Sequence, residues 1–126
     1  MRPRLLALTV MLALGLTGLV LVPATPAAAA EPAHCNQAQW NTHPDLYSGG
    51  GISFANGTAI RDAGYTDCSR NGLGYPTQGI NVHCAEPNDN GLLWLYVVDT
   101  TTGVAGWARE DALTITGSHS IADCRN

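Results

Sequence analysis

The chain has 126 residues, and its charged side chains are six arginines and ten acidic residues. All ten acidic residues lie beyond residue 30, together with four arginines and no lysine, so residues 31–126 carry a net charge of −6 with histidine neutral. A surface of this charge repels polyanions at long range, and we therefore expect neither nucleic acid nor an anionic lipid surface as a partner.

The first thirty residues are typical of a secretory signal peptide. Arg2 and Arg4 precede an apolar stretch over residues 5–22, and the alanine run 27–30 offers a small-residue cleavage site. The alternative is an uncleaved transmembrane anchor, since about 18 apolar residues just span a bilayer. We expect cleavage near Ala30 and secretion without membrane contact, which leaves about 96 residues for one domain with a modest core.

Residues 31–51 are polar and rich in turn-forming residues, and they end in the flexible sequence "SGGG". The stretch "CNQAQW" fits one helical turn that carries Trp40. We expect this segment to form an N-terminal arm that packs on the domain.

Beyond the arm, short apolar segments alternate with turns, and none longer than one turn has a helical apolar period. Asn56-Gly57 indicates a tight turn, and a long polar loop is expected over residues 62–79. The pattern predicts an all-β domain, a small barrel or sandwich of five or six strands. The expected strands cover residues 52–54, 58–61, 80–84, 92–98, 104–108 and 113–116.

The segment "LLWLYVV" has apolar side chains on both faces of its strand, with Trp94, Tyr96 and Val98 on one and Leu93, Leu95 and Val97 on the other. Such a strand is expected to be covered on both sides. Gly106 precedes Trp107 at a position that fits a strand bend, with the indole ring filling the space beside it.

Four cysteines lie in the part expected to be exported, and an even number in a short secreted domain predicts disulfides. Three pairings exist for four cysteines. We expect Cys68–Cys84, which would join a loop to a strand, and Cys35–Cys124, which would tie the two ends together.

Residues 58–115 resemble the bacterial SH3-like domain, particularly its single-domain, secreted, disulfide-bearing kind. The resemblance rests on the motifs at residues 61–64, 79–82, 94–97 and 103–107, the last two reading "WLYV" and "GVAGW". It implies a partly open barrel of five or six strands. We place this barrel at residues 52–117 and expect an N-terminal arm over 31–51 and a tail over 118–126, both tethered by disulfides. Relatives commonly act as non-catalytic modules that bind cell-wall peptides and glycans. Two features depart from the family: no enzyme is attached, and the acidic, tyrosine-rich motif that holds proline-rich peptides is absent.

Candidate ligand-binding residues are the aromatic side chains Tyr65 and Tyr75 of the long loop and Trp94 and Tyr96 of the central strand. Flat rings with a polar tip stack on sugars and peptides. Trp94 has a core position as its alternative role, and Trp107 is expected in the core. Four acidic residues could pair with an amine on a peptide stem or form ordinary solvated surface: Asp62, Asp67, Glu110 and Asp111. Of these, Asp67 is the candidate for ligand binding.

Catalytic and metal-binding patterns are weak. His83 and Cys84 are adjacent on a strand and point to opposite faces, and no C-x-x-C spacing occurs, so we expect no metal ion. The chain has no G-x-S-x-G motif, and we expect no enzymatic activity and no cofactor.

The sequence therefore predicts a secreted, monomeric, non-catalytic binding module for a cell-wall peptide, a glycan or another envelope component. The alternative is a secreted protein–protein effector, such as an enzyme inhibitor that inserts the loop anchored at Cys68 into a cleft.

Overall fold

A computed structural model of the protein describes residues 21–44, 47 and 49–126. The positive residues and most of the apolar stretch of the predicted signal peptide, residues 1–20, lie outside the described residues. Within the described part of the chain, no helix is long and apolar enough to cross a membrane.

Strands and three short 3₁₀ turns make up the regular structure of the described residues. The 3₁₀ turns cover Ala33–Cys35, Gln37–Gln39 and Glu110–Ala112. The seven strands are β1 (Ile52–Phe54), β2 (Thr58–Arg61), β3 (Arg70–Gly74), β4 (Ile80–Pro87), β5 (Leu93–Asp99), β6 (Ala105–Arg109) and β7 (Leu113–Ile115). The prediction of an all-β domain is confirmed, with seven strands where five or six were expected.

The strands form two antiparallel sheets that do not close on each other. The larger sheet has the order β3-β2-β6-β5-β4, and β1 pairs with β7 in a two-stranded sheet. The β5–β6 hairpin at the centre pairs Trp94 with Arg109 and Tyr96 with Trp107. This hairpin carries two of the three tryptophans and forms the framework on which the loops are held.

Strand β3 was missed by the sequence prediction, which assigned residues 62–79 to one long loop. The strand carries two glycines and two polar residues, and it lacks the apolar alternation that marks a half-buried strand. Gly74 is required by packing, because a Cβ at this position would overlap the ring of Phe54. The same absence of side chains that permits this close approach removes the sequence signal.

Both faces of β5 are covered, as the sequence predicts. Leu95 and Val97 lie in the main core with Phe54 and Ile60, all at most 1% exposed. On the opposite face, Trp94 packs in a second cluster with Trp107 and the Cys84 and Cys124 side chains. Trp107 is 2% exposed, which confirms its predicted core position.

The predicted disulfide pairing is wrong: the bonds are Cys35–Cys68 and Cys84–Cys124. The tail runs parallel to the outer edge of β4, where the Ala85 N–H donates to the Ala122 carbonyl at 2.8 Å and the Cys124 N–H donates to the Ala85 carbonyl at 3.1 Å. This pairing places Cys124 beside Cys84, with their Cα atoms 5.0 Å apart. Each disulfide therefore ties one terminal segment, the arm or the tail, to the sheet region, and no disulfide joins the two segments.

Candidate functional site

A cavity of about 500 Å³ opens where the β2–β3 loop, the β4–β5 loop and the start of β5 meet. Its apolar surface comes from two aromatic rings and a leucine, and its polar groups include two carboxylates, two amides and one guanidinium. The lining residues include His34 of the arm and a group from the loops and strands: Tyr65, Asp67, Asn88, Asp89, Asn90, Leu92, Trp94 and Arg109.

Asn88 fixes the β4–β5 loop against the β2–β3 loop. The side chain is buried, its Nδ2 donates to the Gly64 carbonyl at 2.9 Å, and its Oδ1 accepts the N–H groups of Asn90 and Leu92 at 3.0 Å. An asparagine that bonds the backbone two residues on is a characteristic turn former. The N–H of Asp89 also donates to the Tyr65 hydroxyl at 3.2 Å. These bonds hold the two loops in one arrangement, so the cavity wall is preorganised.

His34 connects the N-terminal arm to the same wall. Its Nε2–H donates to both carboxylate oxygens of Asp67, at 2.9 and 3.0 Å, and its ring centroid lies 4.3 Å from that of Tyr65. The hydrogen bond from His34 lowers the pKa of the Asp67 carboxyl. Burial raises the pKa of the Tyr65 hydroxyl. At neutral pH the site therefore presents an ionised Asp67 and a protonated Tyr65 hydroxyl.

Trp40 of the arm packs across the face of the sheet that carries Trp107. The two ring centroids are 4.7 Å apart, and the Trp40 Nε1–H donates to the His34 carbonyl at 3.3 Å. Gly64 lies directly beneath the ring: a Cβ at this position would lie 2.7 Å from Trp40 Cζ3 and 3.0 Å from Trp94 Cγ. The close packing of Trp40 thus depends on a glycine in the β2–β3 loop.

The structure brings three of the five predicted ligand-binding residues together. Tyr65, Asp67 and Trp94 line the 500 Å³ cavity. Trp94 is only 2% exposed, so its ring forms part of a packed floor and does not present an open stacking face. Its buried Nε1–H has no hydrogen-bond partner within the described residues.

The other two predicted residues lie elsewhere. Tyr96 lines a separate cavity of about 380 Å³ with Trp40 and Trp107. Tyr75 is 41% exposed in the β3–β4 turn, and it is not among the residues that line either cavity. The aromatic candidates therefore do not form one continuous surface, because Trp40 packs against the face of the sheet that Trp94 and Tyr96 share.

The acidic set is also dispersed. Asp67 lines the large cavity, whereas Asp62 accepts a hydrogen bond from Gln37 at 2.7 Å and lines the cavity with Tyr96. Asp111 pairs with Arg109, whose Nη2 lies 2.6 Å from the Asp111 carboxylate, and this bond lowers the pKa of the Asp111 carboxyl. Of the four, Asp67 alone lines the large cavity.

One group of side chains has the donor atoms of a metal site. The ligand atoms of His34, Cys35, Asp67 and Cys68 lie within 4.8 Å of one another. Both sulfurs are joined in the Cys35–Cys68 disulfide, however, and a thiolate is the form that ligates zinc. In this oxidised state the group holds the arm on the loop and offers only His34 and Asp67 as ligands.

Sequence reasoning missed the contributions of His34, Trp40 and Asn88. His34 and Trp40 belong to the arm, and no local pattern shows that an arm folds back across the β2–β3 loop. Asn88 has a weak local signal, because "PNDNG" is a typical turn sequence. That signal predicts a turn but does not show that the Asn88 side chain reaches across to the Gly64 carbonyl.

Comparisons with models of protein families, with curated proteins and with solved structures give no match to this chain. The resemblance to the bacterial SH3-like domain therefore stays a prediction.

Proposed function

We propose that this protein is a secreted, non-catalytic, SH3-like binding module that holds a short cell-wall peptide or glycan in the cavity at Tyr65 and Trp94. The observation that carries the proposal is that this cavity joins aromatic surface to a varied set of hydrogen-bonding groups. A volume of about 500 Å³ is within the range of small-ligand sites, which combine apolar walls with a few placed polar groups.

The rigidity of the wall supports binding. The Asn88 bonds, the His34–Asp67 pair and the Cys35–Cys68 disulfide all fix groups that would contact a ligand. Little side-chain entropy is then lost when the ligand arrives. The polar groups offer both donors and acceptors: Arg109 and the Asn90 amide donate, whereas Asp67 and Asp89 accept. Sugar hydroxyls and peptide groups match such a mixed surface.

A matched pair of tyrosine variants tests the proposal. Tyr65→Leu removes a ring and a hydroxyl from the cavity wall, whereas Tyr75→Leu makes the same chemical change at an exposed position outside it. Sedimentation with insoluble peptidoglycan and calorimetric titration with soluble wall fragments measure binding. We expect Tyr65→Leu to weaken binding about three- to tenfold, the value of one aromatic contact, and Tyr75→Leu to match the wild type.

Two outcomes would reject this function. Equal weakening by both tyrosine variants would show that the cavity is not the site. Absence of wall binding, together with stoichiometric inhibition of a secreted hydrolase, would favour the protein–protein effector instead.

A further inference from the structure

A smaller cavity of about 130 Å³ adjoins the large one and shares residues with it. Four residues line both spaces, so the two cavities are immediate neighbours: His34, Tyr65, Asn88 and Asp89. Trp40 and Glu86 line the small cavity but not the large one.

Three aromatic rings surround this small cavity. The Trp40 indole stands nearly perpendicular to the Tyr65 ring, at 86° and 5.9 Å between centroids, and the His34 ring lies 4.3 Å from Tyr65. The electron-rich faces of Trp and Tyr attract cations within about 6 Å, and cages of this kind recognise ammonium groups.

The charge of the cavity has the sign that a cation requires. Glu86 and Asp89 contribute carboxylates, and no lysine or arginine is among the residues that line it. One Glu86 oxygen, Oε2, is buried without a hydrogen-bond partner among the described residues, and burial raises the pKa of this carboxyl.

The charged groups around Glu86 leave its carboxylate without a dedicated counter-ion. Arg125, the cation that acts on the Glu86 carboxyl, is held by Asp123: its Nε and Nη2 lie 2.9 and 2.5 Å from the two Asp123 oxygens. Arg125 lowers the pKa of Glu86 and Asp123 raises it, so the pair acts in opposite directions on the same carboxyl. A bound cation would supply the missing charge.

We propose that the small cavity receives the ammonium group of an amine-bearing ligand, held against the Trp40 and Tyr65 side chains that line it and beside the Glu86 carboxylate. This inference rests on the proposed function and narrows it: the wall fragment that binds would be a peptide or aminosugar with a free primary amine. The volume of about 130 Å³ is sufficient for a short alkylammonium group.

A small-molecule titration tests the cavity independently of any wall fragment. The probes are n-propylammonium chloride and its neutral counterpart n-propanol, followed by ¹H–¹⁵N NMR at the Trp40 and Tyr65 signals. We expect saturable shifts with n-propylammonium and none with n-propanol. Glu86→Gln should weaken n-propylammonium binding about tenfold, whereas Glu110→Gln, the same change on an exposed side chain outside the small cavity, should leave it unaltered.

Wall fragments with free amines and the same fragments after N-acetylation separate this inference from the proposed function. Binding that falls at least tenfold on acetylation supports both. Equal binding of the two forms overturns the amine inference and leaves the proposed function standing. Saturable n-propylammonium binding without any wall binding rejects the proposed function and retains the amine site. Failure of n-propylammonium to shift either signal, or an equal effect of Glu86→Gln and Glu110→Gln, overturns the inference directly.

Discussion

Removing the disulfides one at a time should separate their effect on stability from their effect on the site. In the chain-entropy model, a bond across 33 residues and one across 40 residues contribute about 3.7 and 3.9 kcal/mol. The two double variants Cys35→Ala/Cys68→Ala and Cys84→Ala/Cys124→Ala should therefore lose similar stability. For a domain of about 96 residues this corresponds to a fall in Tm of roughly 15 to 30 °C, measurable by circular dichroism.

The local consequences should differ, because each bond holds a different segment. The chain has three tryptophans, and each gives its own indole N–H signal in a ¹H–¹⁵N spectrum. Loss of Cys35–Cys68 frees the arm, so the Trp40 signal should move toward the position of an exposed indole. Loss of Cys84–Cys124 should instead shift the signals of Trp94 and Trp107, which pack on those sulfurs. Spectra are recorded at low temperature, where both variants remain folded.

Two results would refute this reasoning. Non-reducing peptide mapping that recovers a Cys68–Cys84 fragment would show that the pairing itself is different. Equal displacement of all three indole signals in both variants would show that the two disulfides act only on global stability and do not hold separate segments.

Two further predictions concern single residues. Gly106→Ala should destabilise the domain by about 1–3 kcal/mol more than Gly103→Ala. Both glycines have positive φ, but a Cβ at Gly106 would also overlap the Arg61 carbonyl and lie 3.0 Å from Ile60 Cγ2, whereas a Cβ at Gly103 would meet open space. Equal thermal midpoints for the two variants would contradict this packing. Glu86→Gln should leave stability unchanged below pH 4.5 and make the variant more stable than the wild type as pH rises. Burial raises the pKa of Glu86 above its ordinary 4.5, so the folded wild type loses stability as pH rises from 4.5 and the carboxyl ionises. Thermal midpoints across pH 3.5 to 8 that differ by a constant amount would contradict the raised pKa.

Local chemistry made most of the fold predictable. Alternating apolar residues located β1, β2, β5, β6 and β7 to within one or two residues. Asn56-Gly57 located the tight turn between β1 and β2, where Gly57 has φ of +80°. Strand β3 gave no such signal, because glycines contribute nothing to a hydrophobic pattern. Its two glycines are required because the Val104 and Phe54 side chains pack directly against them.

Disulfide connectivity was not predictable for a different reason. The sequence separation of two cysteines does not show which strand or terminal segment lies next to which in the fold. Here the decisive contact is a pair of backbone hydrogen bonds between Ala85 and the tail, and alanine has no side chain that would mark the position as a pairing point. Once the tail lies along β4, Cys124 has Cys84 as its neighbour, and Cys35 is left to pair with Cys68.

The candidate site shows why its residues were found only in part. Tyr65, Asp67 and Trp94 lie on the sheet or on a loop between its strands, so their approximate positions follow from the strand order. His34 and Trp40 come from a segment whose position depends on one disulfide and on the absence of a side chain at Gly64. Because the arm supplies two of the three rings around the small cavity, the amine-binding property depends on the part of the chain that sequence periodicity describes least. In a domain with the same strands but with a side chain at position 64, the β5–β6 framework would remain and the Trp40 ring would be displaced.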